Sequence, residues 1–165
     1  MFKTFLALSA LFSASVMAAN APINGTVQSR CIISTDVEGT YGNPNAYTLT
    51  TAAADGGVKP VVRFDVTLAD AYYAQITAPT SFSTAPSLPD VVTWVGDTTV
   101  SAVSDSTGMA GYETGKTEYD YTDKYDLTAT GSTWFTTSST ATLGGSKAFP
   151  GGNYTALVVA ECIAQ

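Results

Sequence analysis

Beyond residue 19, apolar and polar positions alternate in short runs, and the runs are separated by clusters of Gly, Pro, Asn and Asp. That period of two is the signature of strands that face a core on one side. The first run covers residues 23–33. Ile23, Gly25, Val27 and Ser29 fall on one face and Asn24, Thr26, Gln28 and Arg30 on the other. The clearest run is 58–68, with Val62, Phe64, Val66 and Leu68 opposite Arg63, Asp65 and Thr67. Further strands are expected at 47–53, 72–78, 91–95, 98–103, 117–130 and 132–143, with a turn at Gly96-Asp97 between the third and fourth of these. Residues 104–116 are polar and contain Gly, and read as a surface excursion. The last run, 153–164, places Tyr154, Ala156, Val158, Ala160 and Cys162 on one face and Leu157, Val159 and Ile163 on the other. A strand apolar on both faces is expected to be central or covered.

Composition sharpens this into a fold class. Charged residues make up 13% of the chain, and Thr, Ser, Gly, Ala, Val and Tyr dominate it at the expense of Leu, Lys and Glu. Helix formers are therefore scarce, and an all-β, immunoglobulin-like antiparallel sandwich is expected. No internal repeat or linker suggests a second domain.

The first residues read as an address. Lys3 precedes the apolar run 5–16, and Val16-Met17-Ala18 suits a signal peptidase, so cleavage is expected before Ala19. The run is shorter than the roughly 20 residues of a membrane span, and no later run is longer. The expected division is a signal peptide at 1–18, an N-terminal extension at 19–30 and a sandwich at 31–165. The formal net charge of −7 becomes more negative once Lys3 is removed. Polyanionic partners such as nucleic acid or an anionic membrane surface are disfavoured.

In an exported chain, two cysteines argue for a disulfide. Cys31 and Cys162 are the only pair available, and their bridge would staple the start of the mature chain to its end. A loop of that size contributes about 4–5 kcal/mol by the loop-entropy argument.

The search for chemistry returns little. The chain has no His, which removes the commonest general base and transition-metal ligand. No Gly-x-Ser-x-Gly motif or phosphate loop occurs, so no catalytic residue and no cofactor is assigned. Glu118, Asp120, Asp123 and Asp126, interleaved with Tyr119, Tyr121 and Tyr125, form the densest constellation. Their spacing does not fit an EF-hand loop. Asp120, Asp123 and Asp126 remain candidates for a calcium loop or a hydrolytic carboxylate pair, against the alternative of a solvated strand face that keeps a Tyr-rich edge soluble. Trp94 and Trp134 could line a sugar-binding surface or belong to the core. The sequons at Asn24 and Asn153 fall in expected strands and are read as chance.

Two terminal segments carry a resemblance. ANAPINGTVQSRC is a short alternating segment with a Gly among its apolar positions, and PGGNYTALVVAECIAQ follows a Gly-Gly turn with Tyr154 and a small/apolar alternation. Together they resemble a bacterial fimbrial subunit of the chaperone–usher type. In that family each subunit is an incomplete immunoglobulin-like sandwich, completed by an N-terminal strand from its neighbour. The resemblance implies Ile23, Gly25 and Val27 as inward donor positions, and Tyr154, Ala156 and Val158 beside the acceptor groove. It implies identical subunits in a polymer as partners, with a periplasmic chaperone and an outer-membrane usher during assembly, and a place on the bacterial cell surface. The cysteines depart from the pattern, since in many such pilins they join neighbouring early strands. A self-contained sandwich that acts as a monomeric secreted module for a glycan or host protein is the alternative.

Overall fold

The computed structural model describes residues 30–165. Among these residues the strands, in chain order, are β1 (Cys31–Val37), β2 (Gly42–Asn45), β3 (Thr48–Thr50), β4 (Val61–Val66), β5 (Tyr72–Thr77), β6 (Phe82–Thr84), β7 (Val92–Val103), β8 (Thr117–Tyr119), β9 (Thr122–Asp126), β10 (Gly131–Leu143), β11 (Thr155–Ala156) and β12 (Val159–Ala164). The pairings between these strands are antiparallel. One sheet is centred on β10. Along one edge β10 pairs with β4 and then β3, and along the other with β7; β1 and β2 lie outside β4 and β3. The second sheet runs β12-β5-β9-β8, and β6 with β11 forms a small third one. The fold is thus an all-β sandwich, as the alternation predicts.

Strand alternation places the core. Along β4, Val62, Phe64 and Val66 are buried while Val61, Arg63 and Asp65 are not, and along β10 every second residue from Thr133 to Leu143 is buried. Facing them are Ala74 and Ile76 of β5 and Tyr125 of β9. Phe64 and Tyr125 meet Phe135 at ring-centroid distances of 5.4 and 4.6 Å, so one phenylalanine on the longest strand ties the two sheets together. Burying such a side chain contributes on the order of 2–3 kcal/mol. Lower down the sandwich a second cluster gathers Leu49, Trp94 and Ala141 beneath Tyr41, Phe82, Phe149 and Tyr154.

The structure corrects several expected elements. There is no turn at Gly96-Asp97: β7 is continuous through them and pairs with β10 along most of its length. Gly96 is there for approach, because a Cβ at that position would lie 2.5 Å from Ala78 Cβ and 3.1 Å from Ser138 O. The excursion 104–116 is more than surface, since Met109 and Tyr112 are buried in the main core. The run 117–130 is the β8–β9 hairpin, turning at Asp120-Tyr121 with φ of 44° and 63°. These are left-handed values that suit Gly or Asn better than tyrosine. The tyrosine is held there by two bonds: Ala78 N–H donates to Tyr121 O at 2.9 Å, and Tyr121 OH donates to Trp94 O at 3.1 Å.

The last run is also divided. Its alternation is kept, but β11 pairs with β6, the chain steps off at Leu157-Val158, and β12 pairs with β5. Far from being central, β12 is an edge strand, and Leu157 and Val159 are 61% and 49% exposed. Cys31 and Cys162 are bonded, with Cα atoms 6.4 Å apart. The bridge joins the edge strands β1 and β12 of the two sheets, as the sequence predicts. The expected signal peptide and the donor positions Ile23, Gly25 and Val27 lie outside the described residues.

Candidate functional site: a groove beside the last strands

Below the disulfide, β1 and the 152–158 segment diverge. β1 and β12 run in opposite directions, so that Cys31 meets Cys162 at one end while Thr35 and Glu38 face Leu157 and Val158 across open space at the other. The space is a groove of about 720 Å³. One wall is the end of β1 and the loop that follows it, from Thr35 to Tyr41; the other runs from Gly152 to Val158. Leu49, Val62 and Ser139 form part of the floor.

The wall residues are fixed by local chemistry. After the Pro150-Gly151-Gly152 turn, Tyr154 folds back so that its OH donates to Pro150 O at 2.6 Å. Its ring meets Phe82 and Phe149 at 5.1 and 5.3 Å. Ala156 sits opposite Phe82 in the short β6–β11 ladder, with a register shift between Thr155 and Ala156. Val158, half-buried, reaches the main core. On the other wall Tyr41 shares a 2.7 Å hydrogen bond with Ser139 Oγ, and burial raises the phenol's pKa despite that bond. The groove is thus partly apolar at its base, where Leu49 and Val62 lie beside Thr51 and Ser139, with Thr35, Glu38, Thr40 and Asn153 at its rim.

Tyr154, Ala156 and Val158, the positions expected beside an acceptor groove, all line this groove. The opposing wall, Thr35 to Tyr41, is invisible to sequence reasoning. It is a turn-rich stretch whose role depends on where the two sheet edges part. Tyr41 gives the one signal, a lone aromatic in a Gly-rich loop.

The acidic constellation comes apart differently. Asp120 is exposed in its turn and Asp126 exposed opposite Tyr73. Asp123 is buried and clusters instead with Asp97 and Glu118, their ligand atoms within 4.8 Å of one another. The place a metal would take is held by Lys116. Its Nζ lies 2.7 Å from both Asp97 and Glu118, 3.8 Å from Asp123 and 3.9 Å from Glu113. Desolvation works against that ammonium, but bonds to Asp97 and Glu118 and the charges of Asp123 and Asp97 outweigh it and hold the pKa above the ordinary lysine value. Burial pushes the Asp123 carboxyl up, opposed by its bond from Thr98 N–H and by Lys116. Lysine is the residue sequence reasoning missed, because a single cation between acidic positions carries no motif.

The two tryptophans separate. Trp94 is buried in the aromatic cluster. Trp134 lies on the outer face of its sheet, its Nε1 donating to Asp36 at 2.7 Å and Arg63 5.9 Å from its ring centroid. They do not form one surface. Compared with known protein families, curated proteins and solved structures, the chain matches none.

Proposed function

We propose that the protein is a structural subunit of a bacterial surface filament, in which the groove beside β11 and β12 takes an extended strand, residues 19–29, from a second copy. The observation that carries this reading is a groove with a partly apolar floor beside β12, whose second edge has no strand partner among the described residues, with Val159 exposed on β12 and Leu157 exposed just before it. A free edge of that kind is a template for strand addition.

Chain direction supports it. Arg30 continues the β1–β4 ladder past Cys31, since Thr67 N–H donates to Arg30 O at 3.1 Å. The chain therefore enters β1 at the disulfide end. The groove opens at the other end of β1, about 20 Å away for a strand of seven residues. A segment donated from one pole and accepted at the other gives a head-to-tail contact, which generates open filaments rather than closed dimers. Entering by the mouth, residue 29 of the donor stays nearest to it and residue 19 reaches deepest. The donor then lies parallel to β1 and antiparallel to β12. Eleven extended residues reach up to about 37 Å, enough for one strand. Ile23, Gly25 and Val27 would face the floor. Secretion, the chaperone and the usher belong to the same proposal.

The rim of Thr35, Glu38, Thr40 and Asn153 favours a second reading, a monomeric secreted module that binds a glycan in the same groove. One experiment separates the two. Surface material sheared from the native cells is run on a denaturing gel with and without boiling. Strand-exchanged polymers are kinetically trapped, so a high-mass ladder that collapses on boiling is expected. A single monomer band in both lanes would overturn the filament reading.

A further inference from the structure

β7 presents a second free edge, on the side away from the groove. The strand is twelve residues long and, among the described residues, pairs only with β10. Its other edge is the longest uncovered strand edge among the described residues, and such an edge invites pairing with another chain. On that edge, alternate residues turn their backbone groups outward.

Four of those groups are met by side chains from across the sandwich. Trp94 O accepts from Tyr121 OH at 3.1 Å. Thr98 N–H donates to Asp123 Oδ2 at 2.7 Å, and Thr98 O accepts from Tyr125 OH at 2.6 Å and from Lys116 Nζ at 3.0 Å. Val100 N–H donates to Glu113 Oε2 at 2.7 Å. Two of these bonds run to carboxylates and are the stronger for it. Lys116 gathers the same carboxylates and keeps the array neutralised where it is most buried. The residues come from β9, the Asp120-Tyr121 turn and the segment before β8. A left-handed tyrosine, which costs on the order of 1–3 kcal/mol, is part of the arrangement.

We propose that this lysine–carboxylate–tyrosine array is a seal. It closes the β7 edge to strand addition by a second copy of the chain. Side chains do this without offering a backbone ladder to a newcomer, so the seal blocks pairing where a further strand would extend it. The seal stands whether or not the groove takes residues 19–29, because it concerns the opposite side of the sandwich.

The test uses the mature chain carrying Ser101→Cys labelled with pyrene. Ser101 is exposed on β7, so excimer emission reports β7 of one copy meeting β7 of another. Groove-side assembly brings other edges together and gives none. The seal is broken by Glu113→Ala, Lys116→Met and Tyr121→Phe in combination. Expected are no excimer in the sealed protein, excimer that grows with concentration in the broken one, and amide exchange at Val100, whose acceptor is Glu113, faster by ten-fold or more. If the combination does not fold, Glu113→Ala alone, at an exposed site, is read by exchange at Val100, with Glu113→Gln restoring protection. Excimer in the sealed protein, or a folded broken variant with neither excimer nor faster exchange, overturns the proposal. An unboiled-gel ladder reports on the groove separately.

Discussion

Gly96 shows how a single residue type can point two ways. Beside Asp97 it carries the signature of a turn, and sequence reasoning takes it as one. Its actual work is to let β7 pass Ala78 and the backbone of β10 at a distance no side chain permits. Gly96→Ala should therefore overpack the contact and cost about 1–3 kcal/mol. Gly111→Ala, where an added Cβ meets nothing within 4 Å, should change stability by less than about 0.5 kcal/mol. Urea midpoints of the two variants check the contrast, and equal effects would place the constraint elsewhere. Asp123 makes a second case at this scale. Burial raises its pKa in the folded protein above the unfolded value. In the window just above the ordinary carboxylate range the native state thus binds a proton that the unfolded chain does not. The contribution of this group is greatest at low pH and is lost as pH rises through the folded pKa. Asp90 and Asp105, exposed and lowered by backbone bonds, run the other way but are shared by parent and variant. Relative to Asp123→Asn, the parent should gain stability as pH falls from 7 towards about 4. A difference that stays flat would contradict the burial effect.

At the scale of elements, legibility follows local autonomy. β4 and β10 read correctly because each strand shows one face to the core, and period two is written along it: Val62, Phe64 and Val66 alternate with Arg63 and Asp65. The groove wall from Tyr154 to Val158 is legible for the same reason, since Tyr154, Ala156 and Val158 keep the alternation even where the chain changes sheets at Leu157. What alternation cannot convey is which neighbour a strand has. The double-faced run 153–164 suggests a covered strand, whereas its position at the edge is set by β5 pairing with β9 on its other side. The excursion 104–116 hides two core residues, Met109 and Tyr112, in a polar surround because they plug the sandwich from outside the strand pattern. The disulfide is the element-level device with the largest expected effect. β1 pairs with β4 and β12 with β5, and the Cys31–Cys162 bond ties the two edges together. Replacing both cysteines with serine should cost about 4–5 kcal/mol if the closed-loop entropy acts in full. Denaturant unfolding measures it, and a loss under about 1 kcal/mol would mean that edge packing alone holds β1 to β12.

At the scale of the whole molecule the two sides of the sandwich are built unlike. On the β7 side a lysine, carboxylates and tyrosines bond backbone groups of Trp94, Thr98 and Val100 along the strand edge. On the β1/β12 side the edges are held at one end by a covalent bond and part below it around a groove with a partly apolar floor. Among the described residues, exposed apolar groups beside the groove leave hydrophobic stabilisation to be gained, so a ligand that fills the groove must stabilise the fold by mass action. A synthetic peptide of residues 19–30 added to the mature chain at a hundred times its dissociation constant should contribute about 2.7 kcal/mol. For a domain of this size that is a rise in melting temperature of about 5–10 °C. The same peptide with Ile23→Asp and Val27→Asp should give none, because a charge cannot be buried against Leu49 and Val62 without a partner. Equal shifts from both peptides would show that binding does not use the floor of the groove. No shift from either would remove residues 19–30 as the occupant while leaving the groove open to a glycan, whose binding would then raise the same melting temperature in their place.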